Sequence, residues 1–276
     1  MIVFIFLLSY ISISAISKIS FSNSFPAIDC DVTNDAFSIG EEITYQTYYN
    51  WGFIWLDAGE VTFKVERSDY KGAPCYKLSG IGGTYPSYDW IYKVRDRYEC
   101  WVDTSTLKPF RYICDKHEGG KDYYNECFFN YNKLKAYCVT KGKKTLSLDT
   151  IQIAPCSFDA LTMIYYSRNV DFSKYKVNDT IPISFFLNNK VYSLYLRYLG
   201  KEKFKLNENN VFNCIKFSPK LIEGTIFKGG EGMTVVGTDD KNKLPLYVEA
   251  PILVGSVKAK ITKWKGLRYK MDAKVE

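Results

Sequence analysis

Two-residue alternation of apolar and polar side chains runs through most of the chain. Val61, Phe63 and Val65 alternate with Thr62, Lys64 and Glu66, as in a strand with one face in a core and the other in water. Ile43, Tyr45, Thr47 and Tyr49 form one face of the strand before it. The same pattern predicts strands over 74–81, 90–102, 109–117, 122–131 and 134–141. After a gap it resumes over 180–188, 190–199, 211–218, 221–227, 231–238, 243–250 and 254–264. Turn formers separate these runs, among them Gly82-Gly83, Gly119-Gly120, Asn132-Lys133, Asn188-Asn189 and Asp239 to Asn242. Connections this short pair neighbouring strands antiparallel. Lys201 to Asn210 reads as a solvated polar loop.

One segment breaks the rhythm. In SFDALTMIYYSRN, Phe158, Leu161, Ile164 and Tyr165 recur at helical spacing, with Ser157 as the N-cap and Asp159 in the first turn. A helix this short is marginal alone, so it is expected to pack on the sheet. The predicted fold is mainly β: a large curved antiparallel sheet or open barrel with one short helix around residues 158–169. Residues 36–270 read as a single β-rich domain, with the helix as the seam between halves 36–150 and 171–270. Residues 18–35 read as an N-terminal linker and 271–276 as a tail.

The stretch YYNWGFIWLDAGE, residues 48–60, crowds Tyr48, Tyr49, Trp51, Phe53 and Trp55 around Asn50 and Gly52. A second aromatic cluster, TYPSYDWIY, carries Tyr85, Tyr88 and Trp90. Rings interleaved with polar residues are how β-proteins stack sugars or line lipid cavities. They also serve as a hydrophobic plug at the end of a sheet. Trp51, Phe53, Trp55, Tyr85, Tyr88 and Trp90 are the ligand-binding candidates.

Composition changes the picture in three places. No charge occurs before Lys18, and MIVFIFLLSYISISAIS ends in small residues, so residues 1–17 read as a signal peptide. Export to a periplasm or cell envelope follows, with no transmembrane span in the mature chain; Cys30 lacks the usual lipid-attachment context. In an oxidising compartment the eight cysteines can form disulfides. Cys127 and Cys138 face each other across the hairpin around Asn132-Lys133, and either a cross-strand bridge or two buried thiols fits that register. The net charge of +7 is spread over scattered lysines without a basic helix or tail, so nucleic acid is not an expected partner.

Catalytic constellations are not evident. His117, the only histidine, precedes Glu118 and a Gly-Gly turn, with no Gly-x-Ser-x-Gly elbow to supply a nucleophile. Asp239-Asp240 reads as a turn cap, and Glu231 with Glu249 is a pair whose distance sequence does not give. Neither metal ligands nor a cofactor site is predicted.

Four segments carry a resemblance: GEEITYQTYYNWGFIWLDAGEVTFKV (40–65), VRDRYECWVDTSTLKPFRY (94–112), FDALTMIYYSRN (158–169) and MTVVGTDDKNKLPLYVEAPILVGSVKAKIT (233–262). Together they resemble the domain-of-unknown-function family numbered 3108, found in exported proteins of Bacteroidetes and other Gram-negative bacteria. The resemblance runs from about residue 36 to 270 and implies an exported β-rich domain with no known activity. Val236-Gly237 follow Met233-Thr234-Val235 where such proteins commonly carry a Trp. The expected function is a non-enzymatic envelope binder of an apolar or amphipathic ligand, lipid or glycan. The alternatives are an envelope scaffold that docks a protein partner through the aromatic turn, and a carboxylate-dependent glycan hydrolase.

Overall fold

The structure is a computed structural model in which residues 32–51, 54–142, 145–222, 230–252 and 255–275 are described, with Trp51, Ile54 and Trp55 described in backbone alone. The expected signal peptide, most of the linker, Cys30 and Phe53 lie outside the described residues. Among the described residues fifteen strands form one sheet in the order β8-β7-β6-β5-β4-β3-β2-β1-β15-β14-β13-β12-β11-β10-β9. The first meander comprises β1 (Glu42–Trp51), β2 (Ile54–Tyr70), β3 (Ala73–Thr84), β4 (Val94–Asp103), β5 (Pro109–Glu118), β6 (Lys121–Asn130), β7 (Lys135–Gly142) and β8 (Leu146–Gln152). The second comprises β10 (Thr180–Leu187), β11 (Lys190–Asn207), β12 (Asn210–Pro219), β13 (Thr234–Thr238), β14 (Pro245–Pro251) and β15 (Ser256–Lys265). The two meanders join where β1 pairs antiparallel with β15, and the short β9 (Ser157–Asp159) runs parallel to β10.

Alternation decides which face is concave. Ile43 lies opposite Phe63 and Tyr45 opposite Val61, and all four are buried. Leu78, Tyr98, Cys100 and Val102 continue that inner layer through β3 and β4. Strand twist then bends so wide a sheet around its own apolar face.

Helix α1 (Asp89–Tyr92) is one turn between β3 and β4, while α2 (Ala160–Arg168) lies inside the lumen. All nine α2 residues are buried, as expected of a helix surrounded by core. Gly80 makes room for it: a Cβ there would lie 2.9 Å from the Phe63 ring and 3.6 Å from Leu161. The N-cap is Asp159, not Ser157. The Asp159 carboxylate accepts the Leu161 and Thr162 amides at 2.9 and 3.0 Å and the Thr162 hydroxyl at 2.6 Å. Ser157 belongs to β9, where its hydroxyl accepts the Ala154 amide and meets the Ser184 hydroxyl. Asp159→Ala is therefore expected to cost about 1–2 kcal/mol in a urea titration, whereas Ser157→Ala should leave α2 capped.

Side chains rather than a strand ladder hold the two ends of the sheet together. Asn189, in the β10–β11 turn, accepts from Asn125 at 3.0 Å. Its amide donates to Thr140 at 3.1 Å and to Asp149 at 2.9 Å, on β7 and β8. Phe129 meets Phe186 edge-on with ring centroids 5.1 Å apart. The barrel thus lacks a closing strand ladder and is shut by side-chain hydrogen bonds and packing.

Several expected boundaries change. Residues 86–92 are helical turns, so the strand expected over 90–102 begins at Val94. Lys201 to Asn210 is strand and turn rather than a polar loop: β11 runs on to Asn207, with Leu206 buried and Phe204 packed at a tilt against Tyr247 of β14, 5.4 Å between centroids. The tip of the β11–β12 hairpin folds onto the outer face of the sheet. Most of 221–227 lies outside the described residues; Leu221 makes a bridge to Gly230. Strand β8 was not expected, and it forms one edge of the sheet with Leu146 and Leu148 exposed. Cys127 and Cys138 are cross-strand partners with sulfurs 2.08 Å apart, on strands joined by residues 131–134. Cys156 is also disulfide-bonded, and Cys75, Cys100, Cys114 and Cys214 are buried thiols.

Candidate functional site

Helix α2 occupies only part of the lumen. Its C-terminal Arg168 reaches Glu41, Ala36 and Asn242 at the end of the barrel where β1 begins. The opposite end carries the β1–β2 turn, the 86–92 segment and the β5–β6 and β14–β15 turns. There the lumen contains a cavity of about 460 Å³, within the roughly 300–1,000 Å³ usual for small-molecule sites.

Its wall comes from five strands, β1 to β4 and β15, and the α1 segment. Thr47, Tyr48 and Tyr49 of β1, Leu56 and Ala58 of β2 and Val94 of β4 line it, with Ile252 and Val257 beside the β14–β15 turn. A register shift in the β1–β2 ladder puts Thr47 opposite Gly59 but Tyr48 opposite Asp57. The extra residue, Ala58, is a small side chain where the strand bends. Gly59 and Gly83 are packed against backbone: a Cβ at Gly59 would lie 2.1 Å from the Gly83 carbonyl oxygen. Tyr88, Ile91 and Tyr92 supply the remaining side. They stand at i, i+3 and i+4, one face of a helical turn. Tyr92 crosses the rim to Gly119, where any Cβ would lie 2.3 Å from its ring. Glu60 is the one carboxylate on the wall.

The six aromatic candidates separate on this geometry. Tyr88 lines the cavity. Tyr85 does not: it starts the helical turn, its amide bonded to the Ala58 carbonyl at 3.1 Å. Burial and the Asp57 and Glu60 carboxylates raise its phenol above the ordinary range. Trp90 is 83% exposed and turns away from the lumen. It cannot share the face of Tyr88, Ile91 and Tyr92, because at about 100° per residue it lies about 200° round the turn from Tyr88. The expectation that Trp90 covers the sheet end fails for that reason. The rings of Trp51, Phe53 and Trp55 lie outside the described side chains.

Beside the cavity the inner face carries charge. Val94, on the wall, pairs with Glu118; Asp96, next on that face, pairs with Lys116. Asp96, Lys116 and Glu118 are all buried. The Asp96 carboxylate accepts the His117 amide at 3.2 Å. Its other oxygen and both oxygens of Glu118 have no hydrogen-bond partner in standard geometry. Burial first, then the charge of Glu118, pushes Asp96 up to about 9, so it keeps its proton at neutral pH. Burial also raises Glu118, against the pull of Lys116. The Lys116 ammonium lies over the Tyr123 ring, 5.0 Å from its centroid. The sequence carried a signal for this trio: each charge falls in phase with apolar neighbours, Val94, Tyr98 and Cys100 on one strand and Tyr112 and Cys114 on the other.

The hydrolase candidates are occupied elsewhere. Glu231 is held by Arg197 and Tyr195 and lowered to about 2, the wrong direction for a general acid. Asp239 pairs with Lys201 at 2.7 Å, and Asp240 caps its turn by accepting from Thr238, Asn242 and Lys243. His117 is exposed and bonded to Asp122 at 2.8 Å. Among the described residues no cluster of potential metal ligands occurs, and no helix is long and apolar enough to cross a membrane.

A comparison with curated proteins finds no match. Among solved structures, the crystal structure of a beta-barrel-like protein of the domain of unknown function DUF1849 from Brucella abortus is similar, with a TM-score of 0.56. The alignment covers 85% of this chain and 100% of that one at 8% identity, a likeness of fold. The family model described as Protein of unknown function (DUF3108) matches residues 44–262, nearly the whole sheet from β1 to β15, and the chain belongs to that family.

Proposed function

We propose that the protein is an exported, non-enzymatic binder that holds the apolar part of a lipid-like amphipathic molecule in the rim cavity. The observation that carries this reading is the cavity itself: about 460 Å³, walled by Leu56, Ala58, Val94, Ile252 and Val257 with tyrosines at its margin. Aliphatic walls favour an acyl or other hydrocarbon group, and the tyrosine hydroxyls suit a polar head near the mouth. Aromatic sugar stacking is less favoured, since Trp90 points away and aliphatic side chains outnumber the tyrosines on the wall, six to four. The apolar run at residues 1–17 and the Cys127–Cys138 bridge support an oxidising compartment outside the cytoplasm.

The test is titration with cis-parinaric acid, whose fluorescence rises in an apolar site. The wild-type protein is expected to bind saturably, and Ala58→Trp, which fills the cavity, should weaken binding by about tenfold or more, some 1.4 kcal/mol. Absence of binding by the wild type, or equal binding by a folded Ala58→Trp variant, overturns the reading.

A further inference from the structure

We infer that the α1 turn is a membrane-docking lip that seats the cavity mouth on an anionic lipid bilayer. The inference rests on the cavity reading and adds where the ligand comes from. Trp90 is the most exposed of the large hydrophobic side chains among the described residues, at 83%. Ile91 beside it is 57% exposed yet also lines the cavity. One side chain therefore belongs to both the outer surface and the inner wall, which places the mouth next to Trp90. An exposed Trp–Ile pair on a rigid turn suits the boundary between headgroups and acyl chains, where Trp is favoured.

The turn is held in place for this role. Arg95 donates to the Asp89 carboxylate at 2.6 and 3.1 Å, and the Thr84 hydroxyl donates to Asp89 at 2.8 Å. Tyr92 packs on Gly119 from the lumen side. Trp90 and Ile91 thus project from an anchored element.

Charge selects the partner. Lys93, Lys121, Lys141, Lys190 and Lys220 are exposed at strand ends or turns on this rim. The rim carboxylates are largely neutralised or hidden: Asp89 is paired with Arg95, Glu231 with Arg197, and Glu118 is buried. Glu60, on the cavity wall, and Asp122, bonded to His117 beside Lys121, are the exposed exceptions among the described residues. A positive collar around an apolar lip complements an anionic bilayer, where each basic residue near the surface adds attraction that salt weakens.

The experiment is co-sedimentation of the full protein with vesicles of phosphatidylcholine alone and of phosphatidylcholine mixed with phosphatidylglycerol. Binding is expected to the anionic vesicles, to fall with added salt, and to be weak on the neutral ones. Trp90→Ser with Ile91→Ser should reduce it by about tenfold or more while leaving the melting temperature unchanged. Lys93→Glu should reduce it on anionic vesicles only. Failure of the wild-type protein to bind anionic vesicles, or full binding by the Trp90→Ser, Ile91→Ser variant, overturns the docking lip. The cavity reading is scored separately by parinaric acid: solution binding without vesicle binding sinks the lip alone, and vesicle binding without solution binding supports the lip and removes the cavity ligand.

Discussion

Arg168→Met should lower the unfolding free energy by about 3–5 kcal/mol, the usual result of stranding one member of a buried ion pair. Arg168 is among the largest fully buried side chains. Its guanidinium donates to both Glu41 carboxylate oxygens at 2.6 and 2.8 Å, and to the carbonyls of Asn242 at 3.0 Å and Ala36 at 3.1 Å. One side chain therefore ties the end of α2 to the segment before β1 and to the β13–β14 turn. Removing it leaves the Glu41 carboxylate in the core with its charge uncompensated. The double change Arg168→Met with Glu41→Leu should recover a large part of the loss, because desolvating the pair was itself costly. Recovery will be incomplete, since the two carbonyls still lack a donor. Urea titrations of the single and double variants measure both quantities; a cost for Arg168→Met no greater than that of a surface substitution would contradict the buried pair.

Asp96→Asn should have the opposite sign and a distinctive pH dependence. The native Asp96 carboxyl retains its proton up to about pH 9, whereas the unfolded chain releases it near the ordinary value of 3.8. Between those values the folded state binds more protons than the unfolded one, so stability falls as pH rises. The slope is at most about 1.4 kcal/mol per pH unit, so through this group the wild-type protein is less stable at pH 7 than at pH 4. Asparagine carries no such proton. Its oxygen can keep the His117 amide, and its amide can donate to Glu118. The variant should be more stable at pH 7, equal or less stable near pH 4, and flatter between them. Thermal melts across that range check the prediction, and parallel wild-type and variant profiles would count against it.

Much of the architecture was legible because burial on one face writes a period of two into the sequence. Val61, Phe63 and Val65 are a clear case, and the antiparallel meander followed from the turns between such runs. The period failed where both faces are unusual. In β8, Leu146 and Leu148 are exposed, so no contrast marks an inner face. In the second half of β11, lysines on one face gave the look of a loop, although Phe204 and Leu206 keep the strand phase. The α2 segment was located correctly, but its cap moved from Ser157 to Asp159, since both residues can cap and only the tertiary position of β9 decides between them.

The site was less legible. Tyr88 could be nominated because aromatics gather in that segment, yet Trp90 in the same cluster faces the other way once residues 86–92 turn helical. The cavity wall consists largely of side chains such as Leu56, Ala58, Val94 and Val257, which carry no chemical signature in a sequence. What empties that volume is the limited length of α2 and the register shift at Ala58, and both depend on contacts distant along the chain.

The joining of β1 to β15 has a consequence for how the molecule is made. Among the described strands the first made pairs with the last made, so the outer edge of β1 stays bare until β15 has emerged. Neither meander can hide that edge by itself. A chain that stopped before Ser256 would leave β1 and β14 as raw edges in the middle of the wall, primed to stick to neighbouring chains rather than settle into a smaller barrel.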